Sequence, residues 1–195
     1  MNNVKFDIGR AVGPDFDQIV DLQNANSITV LSDEERADGF LSSAFSAAQF
    51  EEISTSVALV VARDNAQVIG FVCASTVASN RKLSLPAAMI ARFPEIKIGS
   101  RCLEEMKSYI VGPVCIDKNY RGRGAFEGLY NRLFEETAKE FDMAIAFIST
   151  NNTRSVAAHK KVGMEEIDTF RWGDREFFIV GRSLDPIERP TSYAE

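Results

Sequence analysis

Apolar and polar positions alternate at the start of the chain, where Val4, Phe6 and Ile8 interleave with Lys5, Asp7 and Gly9. That period of two predicts a half-buried strand. Gly13-Pro14-Asp15 punctuates it, with Asp15 as a helix N-cap, and Phe16, Ile19, Val20 and Leu22 then follow a helical spacing. Asn24–Thr29 is polar and predicts a loop. Ser32-Asp33-Glu34-Glu35 opens a second helical stretch, which runs with breaks through Phe40, Leu41, Phe45 and Phe50 toward Ile53. Two β-rich runs follow, Val57–Arg63 and Val68–Val77, and Asp64-Asn65-Ala66-Gln67 between them predicts a hairpin turn.

From Ser79 to Lys107 no period is sustained, and Pro86 and Pro94 interrupt it; this stretch reads as an insertion with some helix. Tyr109–Ile116 returns to strand composition with Gly112-Pro113 in its middle. Proline has no N–H to give to a ladder, so this strand should bulge or part from a neighbour there. Phe126, Leu129, Tyr130, Leu133, Phe134, Ala138 and Phe141 then mark one face of a strong amphipathic helix. Met143–Ser149 predicts a short buried strand, and Asn152–Val162 a helix capped by Asn152 and closed by Gly163. Glu165–Arg171 and Arg175–Leu184 flank Trp172-Gly173-Asp174 as a terminal hairpin. The order is β-α-α-β-β-(insert)-β-α-β-α-β-β: an α/β chain with a mixed central sheet flanked by helices. Residues 1–185 are expected to form a single domain, with 79–107 inserted in it and 186–195 as an extended tail.

Composition narrows the function classes. The 195 residues are 45% hydrophobic and 26% charged, which excludes disordered and fibrous chains. The net charge of −6 gives no bulk attraction to nucleic acid or anionic lipid, so neither is expected as a partner. The apolar runs are far too short for a membrane span, and MNNVKFDIGR lacks the apolar stretch of a signal peptide, so a cytoplasmic location is expected. Three cysteines (Cys73, Cys102 and Cys115) and a single histidine, His159, argue against a disulfide framework and against a metal site.

The chemistry concentrates where the strand ending at Ile116 passes through Asp117–Gly124 into the amphipathic helix. A helix start presents unpaired N–H groups and the positive end of the dipole, and Gly122 and Gly124 allow a ligand to approach the backbone closely. With Lys118, Arg121 and Arg123 alongside, the segment is suited to a pyrophosphate; a solvated strand-to-helix turn is the plainer alternative. The segment fits neither a Walker loop nor a dinucleotide fingerprint. A phosphate binder unrelated to coenzyme A stays open at this point.

These residues resemble the GNAT superfamily of acetyl-CoA-dependent N-acetyltransferases. The phosphate signature of that family, [Q/R]-x-x-G-x-[G/A], is matched by Arg121-Gly122-Arg123-Gly124-Ala125-Phe126. Its second element, an Asn-headed helix closing on K-x-G-[F/M], is matched by Asn152 to Ser155 through His159-Lys160-Lys161-Val162-Gly163-Met164. Two positions depart from the pattern. Phe126 stands where the signature ends in a small residue, and His159 where many members carry Tyr.

The resemblance implies an acetyl-CoA cosubstrate, no metal, and transfer of the acetyl group to a primary amine by direct attack. Val114, Cys115 and Ile116 would meet the pantetheine arm and polarise the thioester. Arg121, Gly122, Arg123, Gly124, Ala125 and Phe126 would hold the pyrophosphate. Asn152 and Ser155 would serve the pantetheine side, with a helix N-cap as the other role for Asn152. His159 would handle the proton of the departing thiol, or be an ordinary surface histidine at the edge of the core. Cys115 as an acyl-accepting nucleophile is disfavoured. Glu104, Glu105 and Asp117 are acidic candidates for a base, with Asp117 also suited to capping the turn. The acceptor is a small-molecule or peptide amine, and a homodimer is compatible with the sequence. The alternative is an acyl-CoA-binding regulatory or structural module without turnover.

Overall fold

The computed structural model describes residues 6–32, 41 and 44–184. Seven strands form one sheet in the order β1-β2-β3-β6-β7-β9-β8. The strands are β1 (Asp7–Arg10), β2 (Ala58–Asp64), β3 (Gln67–Thr76), β6 (Ser108–Ile116), β7 (Met143–Ser149), β8 (Glu165–Trp172) and β9 (Arg175–Ser183). All neighbours are antiparallel except β6 and β7. A separate small hairpin pairs β4 (Lys97–Ile98) with β5 (Arg101–Cys102). The longer helices are α1 (Gly13–Ala25), α2 (Ala47–Ser56), α5 (Ala125–Thr137) and α6 (Thr153–Lys161). Two shorter ones, α3 (Val77–Asn80) and α4 (Ser84–Ile90), lie in the stretch without a legible period. Among the described residues no helix is long and apolar enough to cross a membrane.

Strand alternation sorts the core into two faces. On β2, Leu59 and Val61 pack with Ile19, Leu22 and Phe50 of α1 and α2, while Ala58, Val60 and Ala62 pack with Leu129, Tyr130 and Leu133 of α5. Gly128 brings α5 down onto β1, because a Cβ there would collide with the Ile8 side chain. The far half of the sheet buries Met143, Ile145 and Ile179 against Met89, Ile90, Phe93, Leu103 and Met106. The stretch between Thr76 and Ser108 is therefore part of the packed core.

The sequence reading needs amendment at the start of the first helix. Helix α1 starts at Gly13 with Val12 as its N-cap, not at Asp15. Asp15 instead accepts from the Val12 N–H at 2.7 Å and pairs with Arg63 at 2.6 Å. Burial pushes this carboxyl up, but Arg63 and the Val12 N–H outweigh it and hold it below the ordinary carboxylate range. Val4, Lys5, Asp33–Phe40 and the tail from Asp185 lie outside the described residues.

Candidate active site

Residues 108–110 of β6 pair with 143–145 of β7, and beyond Ile110 and Ile145 the register stops. The two strands fork. Opposite the fork, the pairing of β6 with β3 also slips, from Val72↔Val114 to Ala74↔Val111, so that Gly112 and Pro113 sit at a bulge across from Cys73. The Gly112–Pro113 peptide is cis. The sequence reading of a proline that disrupts its ladder thus applies on both sides of the strand.

The fork opens a cleft of about 600 Å³. Val111–Ile116 form one wall, and Ala146–Ile148 with Asn152, Ser155, Ala158 and His159 form the other. Along the exposed stretch of β6, alternate backbone groups that would otherwise pair with β7 are left to a ligand. One end of the cleft is closed by the start of α5. Gly124 is its N-cap at φ 86°, supplies no side-chain cap, and follows Gly122 at φ 72°. The first N–H groups of α5 therefore keep no partner within the helix and carry its positive end. Arg154 and Lys161 of α6 line the same cleft, as does Glu127. Leu41, Phe45, Leu83 and Pro86 add an apolar part to the lining, with Asn26 and Asn80.

Val114, Cys115, Ile116, Arg121, Gly122, Gly124, Ala125, Phe126, Asn152, Ser155 and His159 all line this cleft. Arg123 does not; its guanidinium lies over the Tyr120 ring, 5.5 Å from the centroid. Arg121 turns inward, donating through Nε to the Ile116 carbonyl at 3.1 Å and through a terminal nitrogen to Asn26 Oδ1 at 3.2 Å. Asn152 caps α6 by accepting from the Ser155 N–H at 3.0 Å. The Cys115 thiol is pushed up to about 12 by burial, so it is a poor nucleophile. Glu104, Glu105 and Asp117 do not line the cleft. Glu105 accepts from the Cys102 N–H, and Asp117 caps the short 3-10 turn at Lys118–Tyr120.

His159 is buried, 4% exposed, which removes the surface-histidine reading. Its Nδ1 lies 2.8 Å from the Ser155 carbonyl oxygen and its Nε2 2.7 Å from the Tyr130 hydroxyl. A carbonyl oxygen can only accept, so Nδ1 carries the hydrogen, Nε2 carries the lone pair, and Tyr130 donates to it. Burial lowers the pKa of His159 below its ordinary 6.5, only partly opposed by the Ser155 carbonyl, and favours this neutral ring. The helical spacing predicts Tyr130 as a core residue of α5; the structure adds its hydroxyl to the site. Phe126 stacks on Tyr130 with centroids 4.6 Å apart and meets His159 edge-on at 5.3 Å. The two departures from the signature belong to one aromatic cluster.

The profile of the acetyltransferase (GNAT) family matches residues 25–164, and the protein belongs to that family. It is an acetyltransferase. No curated protein matches the chain. The fold is similar to an N-acetyltransferase from Staphylococcus aureus Mu50, at 17% identity and a TM-score of 0.60, covering 93% of this chain and 99% of that one. It is also similar to a phosphinothricin acetyltransferase from Sinorhizobium meliloti solved in complex with acetyl-CoA, at 19% identity and a TM-score of 0.59, covering 97% and 95%. A ribosomal-protein-alanine N-acetyltransferase from Brucella melitensis aligns at 18% identity and a TM-score of 0.58, covering 90% and 98%. At these identities the likeness is one of fold.

Proposed function

We propose that the protein moves an acetyl group from acetyl-CoA to a primary amine by direct attack, without a covalent enzyme intermediate. The observation that carries this reading is the β6–β7 fork, which ends at an uncapped helix N-terminus. An extended chain bearing amides and a pyrophosphate fits both parts. Backbone groups of Val114 and Ile116 would pair with the pantetheine amides, while Cys115 turns its own toward Phe71 of β3, and N–H groups of Gly122–Phe126 would hold the pyrophosphate. Asn152 has its Oδ1 committed to the cap, so its Nδ2 is the donor left for the pantetheine side, next to Ser155. Arg121 supports this turn from behind, and Arg123 adds only long-range charge.

Acetyl-CoA supplies the activated carbonyl. The chain supplies orientation, backbone donors toward the charge that develops on the carbonyl oxygen, and a place for the amine proton. Neutral His159 is that place: its Nε2 lone pair, held by the Tyr130 hydroxyl, takes up a proton by way of that hydroxyl as the amine attacks, and the same route returns one to the departing sulfur. The acceptor would meet the apolar part of the lining, at Phe45 and Pro86.

Thermal denaturation with acetyl-CoA, CoA and ATP, followed by thiol release against an amine panel, tests the reading. Stabilisation by the two CoA species but not by ATP, with amine-dependent thiol release, supports it. Stabilisation by ATP alone, or CoA binding without thiol release from any amine, overturns it.

A further inference from the structure

A buried imidazole with both nitrogens engaged is a poor place to put a proton unless its partner can serve both protonation states. The Ser155 carbonyl cannot, because it only accepts and already holds Nδ1–H at 2.8 Å. The Tyr130 hydroxyl, 2.7 Å from Nε2, can do both, because a hydroxyl is donor and acceptor. We propose that Tyr130 relays the proton between the amine and His159 in the transfer step, its hydroxyl reversing direction as the ring gains and loses that proton. In the neutral state the Tyr130 O–H donates to Nε2. That bond occupies the only lone pair of Nε2, so the proton arrives through the hydroxyl: Tyr130 passes its hydrogen to Nε2 as its oxygen takes one from the amine, and the oxygen then accepts from the new Nε2–H. One amine N–H and the old O–H break as a new O–H and the Nε2–H form, and the reverse relay delivers a proton through the hydroxyl to the departing sulfur. Phe126 stacks on the Tyr130 ring and meets His159 edge-on, packing the pair from one side.

The inference rests on the acetyl-transfer reading for its kinetic half only. The ring faces Tyr130 and Phe126 from α5 and Ser155 from its own helix. The other titratable and charged groups lining the same cleft are Glu127 on α5, Arg154 and Lys161 on α6, Tyr120 and Arg121 in the turn and Cys115 on β6. All are kept in the test variant, Tyr130→Phe, which also keeps the ring that Phe126 stacks on.

His159 is the only histidine in the sequence, so a long-range proton–nitrogen spectrum of the full chain reports one imidazole. In the wild type a neutral ring protonated on Nδ1 is expected at pH 7. A charge-assisted hydrogen bond is stronger than a neutral one, so losing the hydroxyl weakens the protonated state more. Tyr130→Phe should therefore move the titration midpoint to lower pH by about half a unit or more. Thiol release from acetyl-CoA, measured with a mixture of glycinamide, putrescine and 2-phenylethylamine, should fall about tenfold in kcat. KM for acetyl-CoA should stay within about twofold, and the acidic limb of the pH profile should shift down with the midpoint. A ring protonated on Nε2, a midpoint that stays or rises, or an unchanged pH profile overturns the proposal. No thiol release by the wild type instead overturns the acetyl-transfer reading and the kinetic half with it, while the midpoint still decides the hydrogen-bond reversal.

Discussion

The guanidinium of Arg121 reaches Asn26 Oδ1 at 3.2 Å, across 95 positions of sequence, and so ties the phosphate-facing turn to the end of α1. Asn26 is itself held by the Leu22 carbonyl at 2.8 Å, and its own carbonyl accepts from the Leu41 N–H at 2.9 Å. The turn, the end of α1 and Leu41 thus share one hydrogen-bonded brace. Removing a charged donor from such a part-buried network costs about 1.5–3 kcal/mol. Arg121→Ala should lower Tm by several degrees and shrink the stabilisation given by acetyl-CoA, and differential scanning calorimetry with and without the ligand measures both.

Gly124 separates conformational from steric effects. Nothing lies within 4 Å of where its Cβ would stand, so Gly124→Val collides with no part of the protein. What it meets is the backbone, held at φ 86°, where a β-branched residue is a genuine outlier. The variant is expected to fold, with the first turn of α5 displaced, and to lose most of the acetyl-CoA-induced rise in Tm. A full acetyl-CoA response in folded Gly124→Val would refute the assignment of this turn to the pyrophosphate.

Arg123 gives the contrasting result. Stacked on Tyr120 and outside the cleft lining, it acts on a phosphate only through space. Arg123→Glu should weaken acetyl-CoA binding severalfold at low salt and by little at 0.5 M salt, because exposed charges are screened over about a Debye length. Titration calorimetry at two ionic strengths separates this from a direct contact, whose loss would persist in salt.

Burial of His159 makes the stability of the fold depend on pH with a defined sign. The folded pKa lies below the ordinary 6.5, so the unfolded chain binds the proton more readily. Stability contributed by the neutral ring is complete above pH 6.5 and is lost as pH falls from there through the lower folded value. The wild type should therefore lose Tm between pH 7 and pH 5 more steeply than His159→Gln, whose side chain does not titrate there. His159→Ala should in addition lower kcat by about 10²–10⁴ with CoA affinity changed only a few-fold. Near-normal kcat in that variant would hand the proton to water.

Cys115 faces the cleft but is no acyl acceptor on these grounds, since a thiol pushed up to about 12 holds almost no thiolate at neutral pH. Cys115→Ala should retain turnover, and intact-mass spectrometry of the wild type mixed with acetyl-CoA should show no adduct of one acetyl group.

The parts of this site that a sequence can announce are those whose chemistry is local. Pro113 announces the fork because a missing N–H breaks a ladder wherever it falls. Asn152 and Gly122 announce the ends of a helix and of a turn for equally local reasons. Tyr130 was illegible because, at a helical interval within an apolar stripe, a tyrosine reads as core; only the fold brings His159 to its hydroxyl. Arg121 read as a phosphate cation because nothing near it in sequence foretells Asn26. The stretch from Ser79 to Lys107 lacked a period because its helices are short and its apolar residues, such as Phe93 and Met106, are matched to strands β7 to β9.

The fork in the sheet has one more consequence. A strand edge with unpaired amides on the rim of a protein invites neighbouring molecules to add to it, which is how soluble chains begin to associate. Here the open edge lies inside, with β3 behind it and α5 and α6 beside it. The fold keeps the pairing capacity of a bare edge and denies it to other polypeptides, so the cleft admits thin, amide-bearing chains and resists self-association at the same place.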